Sequence, residues 1–283
     1  LPPNFPSPLW GGVRGGGVST YIPPRAFGPT LSPQMEGKKM RTQFMTSFVP
    51  SSVPDPHTSL PIGVETETHA ALRPERITID GRYVRLEPLD PAKHTDDLYA
   101  ASHGDDKHVI WQYLFEAPFA DHAAFKAHIE RKAASDDPLF YAIIDKASGK
   151  AVGYATLMRV DVTHRVIEVG NIMYGTPLQK TPGATEVQYL LMRYIFETLG
   201  YRRYEWKCNS LNAPSRRAAD RFGFTFEGIF RQHMMVRGRN RDTAWYSILD
   251  TEWPKQKRAF EAWLDPSNFN SQGRQTKRLD DFK

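Results

Sequence analysis

The stretch IEVGNIMYGTPLQKTPGATEVQYLLMRYIFETLG, residues 167–200, decides the fold. From Val166 to Met173 it is apolar and β-branched enough to read as a strand, interrupted by one carboxylate, Glu168. From about Pro182, the residues Val187, Leu190, Leu191, Tyr194 and Ile195 recur at helical spacing, and Gly200 stands just past them as a C-terminal stop. Strand, short loop and long helix in that order place the loop at a helix start. Unpaired N–H groups and the positive end of the helix dipole then face whatever sits there, an arrangement suited to an anion.

Outward from this unit, FYAIID (140–145) and AVGYATLM (151–158) read as strands, joined through a turn at 146–150 and forming a meander with 166–173. Upstream, Arg82 to Leu86 alternates as a short strand, and Pro91 to Ser102 and Asp121 to Ser135 read as helices, the second with Phe125 and Ile129 on one face. Downstream come a strand at 204–208, a helix at 213–222 and strands at 225–230 and 243–249. The predicted order is β α α β β β α β α β β, in one folded domain over residues 80–264.

Residues 1–78 read as a disordered, low-complexity extension: residues 1–75 alone carry 13 of the 22 prolines and 8 of the 20 glycines, with few periodic apolar positions. Met40 and Met45 lie inside it, and the expectation is that residues 1–44 are an upstream reading-frame extension. Residues 265–283 are polar and aperiodic and read as a frayed tail.

Composition narrows the function. No run approaches the roughly 18 apolar residues that span a bilayer, so a membrane protein is excluded and the cytoplasm is the expected location. A single cysteine, Cys208, excludes an internal disulfide; the nine histidines show no ligand spacing, and no metal is expected. A net charge of +5 suits a small anionic ligand better than nucleic acid, which enters only as an aminoacyl-nucleotide substrate.

Three motifs, in order, carry a family resemblance across residues 82–250. The strand with Glu168 and Gly170 looks like an E-I-G-Y strand, QKTPGATE (179–186) resembles the loop Q-x-x-G-x-G/A, and NAPSRRAADRFGF (212–224) resembles an N-x-x-S…G-F segment. Together they resemble the GNAT superfamily of acyl-CoA N-acyltransferases, in its branch related to ribosomal-protein alanine acetyltransferases (RimJ/RimL-like). The resemblance implies an α/β (α+β) fold with a mixed, mostly antiparallel sheet flanked by helices. It also implies acetyl-CoA as co-substrate and direct attack of a primary, α-type amine on the thioester, with no covalent enzyme intermediate. The acceptor is a protein N-terminus, an aminoacyl-nucleotide or a small amine, and the protein a monomer or homodimer.

On that reading Gln179, Lys180, Thr181, Gly183, Ala184 and Thr185 cradle the diphosphate, with Pro182 replacing the first loop glycine and removing one donor. The backbone of Ile172, Met173 and Tyr174 meets pantetheine and the oxyanion. Glu168 serves as base. The family's tyrosine acid falls at Ala219 and is missing; Ser215 takes the role, and Asn212 is a helix cap or a pantetheine contact. Trp111 and Tyr113, with Phe115, line an acceptor pocket or pack as an apolar edge. Arg216, Arg217, Arg237, Arg239 and Arg241 meet coenzyme phosphates or stay solvated, and Cys208 is a buried small hydrophobe. A non-catalytic acyl-CoA-binding or interaction module is the alternative, motivated by Pro182 and Ala219.

Overall fold

The computed structural model of the chain describes residues 49–283, so the expected reading-frame extension and most of the 1–78 segment lie outside the described residues. Two compact units divide at Val64 and Glu65. In the first, β1 (Ser52–Pro54) and β2 (Pro61–Gly63) form an exposed antiparallel hairpin whose turn is tied by Asp55 to the amides of His57 and Thr58.

The second unit holds an eight-stranded sheet in the order β3, β4, β5, β6, β7, β8, β10, β9. Its strands are β3 (Ile79–Asp80), β4 (Val84–Pro88), β5 (Leu139–Asp145), β6 (Ala151–Asp161), β7 (Val166–Tyr174), β8 (Arg203–Asn209), β9 (Thr225–Val236) and β10 (Arg239–Leu249). All neighbours are antiparallel except β7 and β8, which run parallel because α4 (Pro182–Arg193) crosses over between them. Alternation along β5 sends Leu139, Tyr141 and Ile143 to one face and Phe140, Ala142 and Ile144 to the other, and both faces are buried. The first face is covered by α4, α5 (Ala213–Phe222) and α6 (Trp253–Leu264), the second by α1 (Pro91–Ser102) and α3 (His122–Ala133), with a short α2 (Lys107–Ile110) between them.

The central helix is buried nearly all round, from Gly183 to Met192, and passes into a π-helical turn at Tyr194–Thr198 before Gly200 ends it in the left-handed conformation. Its start is fixed by a clamp. The buried carboxylate of Glu186 accepts the amides of Arg82 (2.7 Å), Tyr83 (2.6 Å) and Val84 (2.8 Å) from the β3–β4 turn. Gly81 makes room for it, since a Cβ there would lie 2.7 Å from the Glu186 carboxyl carbon.

Three expectations are corrected here. Residues 65–78, read as disordered, pack onto the sheet: Ala71 is buried, the amides of Ala71 and Leu72 bond the Val162 and Leu199 carbonyls, and the Tyr141 hydroxyl donates to the Glu75 carbonyl. Isolated apolar residues held by backbone bonds leave no periodic trace. Helix α6, for which no element was read, buries Trp253, Phe260, Trp263 and Leu264 at a spacing that carried the signal. The tail read as frayed folds back, with Leu279 and Asn268 buried and the Asn268 amide donating to the Trp263 and Lys277 carbonyls. Strands β9 and β10 also run longer than read.

On the buried face of α3, His128 packs against Phe119, and burial, reinforced by Lys132 and Arg131, holds its imidazole down to about 3. An unfolded histidine titrates near 6.5, so between pH 6.5 and 3 the unfolded chain takes up a proton that the folded one refuses. Its contribution is therefore full above pH 6.5 and is lost as pH falls, by about 2 kcal/mol at pH 5. Urea denaturation should show His128→Gln losing less stability than the parent between pH 7 and pH 5; parallel losses would mean that His128 protonates in the folded protein.

Candidate active site

Strands β7 and β8 are paired only from Val166 to Val169 against Arg203 to Trp206. Beyond that, β7 runs on to Tyr174 and β8 to Asn209 with no mutual pairing, so the sheet opens between them. A bulge accompanies the opening: Met173 faces Tyr154 and Gly170 faces Thr156, which leaves Asn171 and Ile172 opposite Ala155, with Asn171 at φ 45°. Helices α4 and α5 both follow from the C-terminal ends of this parallel pair. Their N-termini therefore converge on the opening, the place where open sheets with parallel strands bind ligands.

At the α4 start, Thr181 caps the helix through the Ala184 amide (3.2 Å), Pro182 occupies the first turn, and Gln179 ties the loop to the Tyr174 carbonyl (2.8 Å). The amides of Gln179 and Thr181 are taken by the Gly175 and Leu178 carbonyls. Of the expected donors, Thr181 and Ala184 are thus engaged, while the amides of Lys180 and Gly183 have no partner among the described residues. Lys180 sits at φ 62°, a conformation that glycine adopts without strain. Gly183 packs so closely on β4 that a Cβ would approach the Val84 methyl to 2.8 Å. Thr185 is set apart from the loop: its hydroxyl is buried and accepts from Arg221 (2.9 Å). Met173 is packed into the core, so its backbone alone reaches the opening, and the Tyr174 hydroxyl accepts from Gln188 (3.2 Å).

Glu168 lies on the sheet face opposite Ile167 and Val169 and is 6% exposed. Lys207 on β8 donates to it (2.9 Å) and to Glu205 (2.5 Å), while Arg159 stands 3.4 Å away. Burial pushes the Glu168 carboxyl above its usual range, against the opposing pull of Lys207 and then Arg159. Lys207 is held in place by the Trp245 ring, 3.8 Å from its ammonium. The chain of charges continues from Glu205 to Arg203 (2.7 Å) and from there to Glu227, which pairs with both terminal nitrogens. None of these partners was among the residues singled out from sequence, because the lateral neighbours of a strand residue depend on register.

At the α5 start, the Asn212 side chain accepts from the Ser215 amide (3.1 Å), which is the cap. The Ser215 hydroxyl accepts from the Trp206 indole (3.0 Å), and its own proton lies within reach of the Cys208 sulfur. Beside it Cys208 is buried, and burial pushes its thiol up. Ala219 is fully buried in the core, so that position holds no proton donor.

Trp111 corrects an expectation. It is fully buried beside Phe119 and Phe125, with its indole donating to the Ser102 carbonyl (3.0 Å), and has no face left for a ligand. Tyr113 does reach the α5 end of the site, donating to the Leu211 carbonyl (3.1 Å). The arginines separate. Arg216 donates to the Tyr246 hydroxyl, Arg217 and Arg239 are exposed, Arg237 donates to the Gln112 carbonyl, and Arg241 is buried with its guanidinium 5.3 Å from the Phe115 ring centre.

The profile described as Acetyltransferase (GNAT) domain matches residues 84–225. A solved GCN5-related N-acetyltransferase from Brucella melitensis is 56% identical, superposes with a TM-score of 0.75, and covers 76% of this chain and 97% of its own. A GNAT-family structure from Chromobacterium violaceum is 40% identical with a TM-score of 0.63, covering 69% and 100%. The Bacillus subtilis protein named "Putative ribosomal N-acetyltransferase YdaF" is 29% identical over 109 residues, which are 38% of this chain. The match spans 59% of that relative's length.

Proposed function

The chain belongs to the GNAT acetyltransferase family, and from that premise we propose that it transfers acetyl from acetyl-CoA to an α-amino group by direct attack. The observation that carries the proposal is the opening of the sheet beyond Val169, with two helix starts converging on it. The residues present fit the coenzyme: the loop amides of Lys180 and Gly183 and the α4 dipole face a diphosphate, and the unpaired edge of β7 faces an amide-bearing arm.

In this reading Glu168, kept from easy ionisation by burial yet held by Lys207, takes the proton that the attacking nitrogen loses as the carbon–nitrogen bond forms. Backbone N–H groups between Ile172 and Tyr174 stabilise the oxyanion. When the carbon–sulfur bond breaks, the Ser215 hydroxyl donates its proton to the sulfur and regains one from solvent. An α-amine titrating near 8 is partly neutral at physiological pH, whereas a lysine-type amine near 10.4 is not, so Glu168 has less to do for the former.

Support for an α-amine comes from the branch resemblance, and the name of the B. subtilis relative adds support for a ribosomal acceptor. Protein N-termini and aminoacyl-nucleotides carry that group, and small amines carry it where they are amino acids or their derivatives. A cytoplasmic setting agrees with the absence, among the described residues, of any helix long and apolar enough to cross a membrane. The test is calorimetric titration of acetyl-CoA and of CoA into residues 45–283, followed by thiol-release assays over peptides, aminoacyl-nucleotides and small amines. Micromolar binding and amine-dependent thiol release are expected. Binding without release for any amine would favour the non-catalytic acyl-CoA module, and no binding at millimolar ligand would remove the coenzyme from the account.

A further inference from the structure

Arg241 on β10 is 8% exposed, yet among the described residues no carboxylate lies within 4.0 Å of it. Its Nε donates to the Thr243 hydroxyl (3.3 Å), and its guanidinium is set over Phe115. The groups acting on it are the buried Cys208 thiol, which burial keeps protonated, and then Glu168, which is already held by Lys207 and Arg159. Glu205 is held by Lys207 and Arg203, and Glu227 by Arg203. Arg241 is thus the cation left over on the sheet face that carries Glu168. A guanidinium has five donors and is costly to bury without a partner, so the site is built but incomplete.

The surroundings give the missing partner a place. The segment from Gln112 to Phe115 meets the β9–β10 hairpin through Arg237 and the β8–α5 turn through Tyr113, so it walls this face of the opening. Phe115 and Thr243 fix the guanidinium plane, as a bidentate contact to a carboxylate or phosphate requires.

We propose that Arg241 binds an anionic oxygen group, carboxylate or phosphate, carried by the acceptor close to its reacting amine, and so sets the acceptor class. This rests on the acetyl-transfer reading. An acceptor bearing such a group is held by Arg241 while its amine faces Glu168; a neutral acceptor leaves the guanidinium unpaired and binds more weakly.

The test uses amidated dipeptides in matched pairs: Ala-Asp against Ala-Asn for a carboxylate, and Ala-phosphoserine against Ala-Ser for a phosphate. At least a tenfold preference in kcat/KM for one anionic member is expected, carried mainly by KM, and the pair that shows it identifies the source. Arg241→Gln should bring that ratio to within about threefold of unity, and Arg241→Lys, which keeps the charge, should retain part of it. The proposal is overturned if the parent protein does not discriminate, or if Arg241→Gln slows both members of each pair equally. Binding heats of the four peptides to the parent and to Arg241→Gln provide a readout without turnover. Anion-selective heat that vanishes in Arg241→Gln, with no thiol release, would retain this site and reject the acetyl-transfer reading; heat unchanged by the substitution would reject the site.

Discussion

Glu168→Gln is expected to lower the rate of acetyl transfer by two to four orders of magnitude, the usual span for losing a positioned general base. The amide keeps the volume and the contact with Lys207, so acetyl-CoA binding should stay within about threefold of the parent. A pH profile separates catalysis from architecture. As the base, Glu168 must be ionised, so kcat/KM falls on the acid side of its pKa, which burial has raised. Lys207 opposes that rise, and Lys207→Met should therefore move the acid limb to higher pH. A Glu168→Gln enzyme of near-parental rate, or an acid limb that ignores Lys207, would reduce the carboxylate to one member of an ion-pair ladder.

The second large effect is on stability. Glu186→Leu should cost about 4 kcal/mol, because three turn amides lose a charged acceptor inside the protein and each such loss is worth roughly 1–3 kcal/mol before water partly compensates. For a unit of this size that corresponds to a fall of about 10 °C in Tm. Glu186→Gln should lie between the two, since its amide nitrogen has to meet one of the donors. Thermal melts of the three proteins check the order, and a Glu186→Leu protein melting within about 2 °C of the parent would show that the turn finds other partners. The loss should also weaken coenzyme binding, because the same side chain fixes the turn of α4 that follows the Gln179–Ala184 loop.

What the sequence discloses and what it hides divides along physical lines. Strands 140–145, 151–158 and 166–173 were legible as short apolar, β-branched runs bounded by turns, and the helix from Pro182 through apolar residues recurring at helical spacing, with Thr181, Pro182 and Gly200 punctuating it as local chemistry requires. The three motifs fell where the topology brings two helix starts together. The rest depends on contacts distant in sequence. Lys207 reaches Glu168 through strand register; Trp111 reads equally as pocket lining or packed edge until the α1–α3 layer closes over it; Arg241, one of many arginines on paper, is distinguished only by being buried without a carboxylate, unlike the equally buried Arg165. Ala71 and Asn268 are single residues held by tertiary hydrogen bonds and Leu279 one held by apolar packing, and no pattern marks them.

The four register pairs that join β7 to β8 have one more consequence. A sheet ordinarily exposes its unsatisfied ladder at its outer rims, but here a rim lies in the middle, between one block of five strands and another of three. Apart from the two pairs that hold the edge strand β3, the seam is the narrowest hydrogen-bonded connection in the sheet, so relative twisting of the two blocks is its softest deformation, governed by whatever lies in the cleft. A ligand arm that bonds along the free stretch of β7 acts as a ninth strand, and the protein it leaves behind is mechanically a different, looser object from the one it enters.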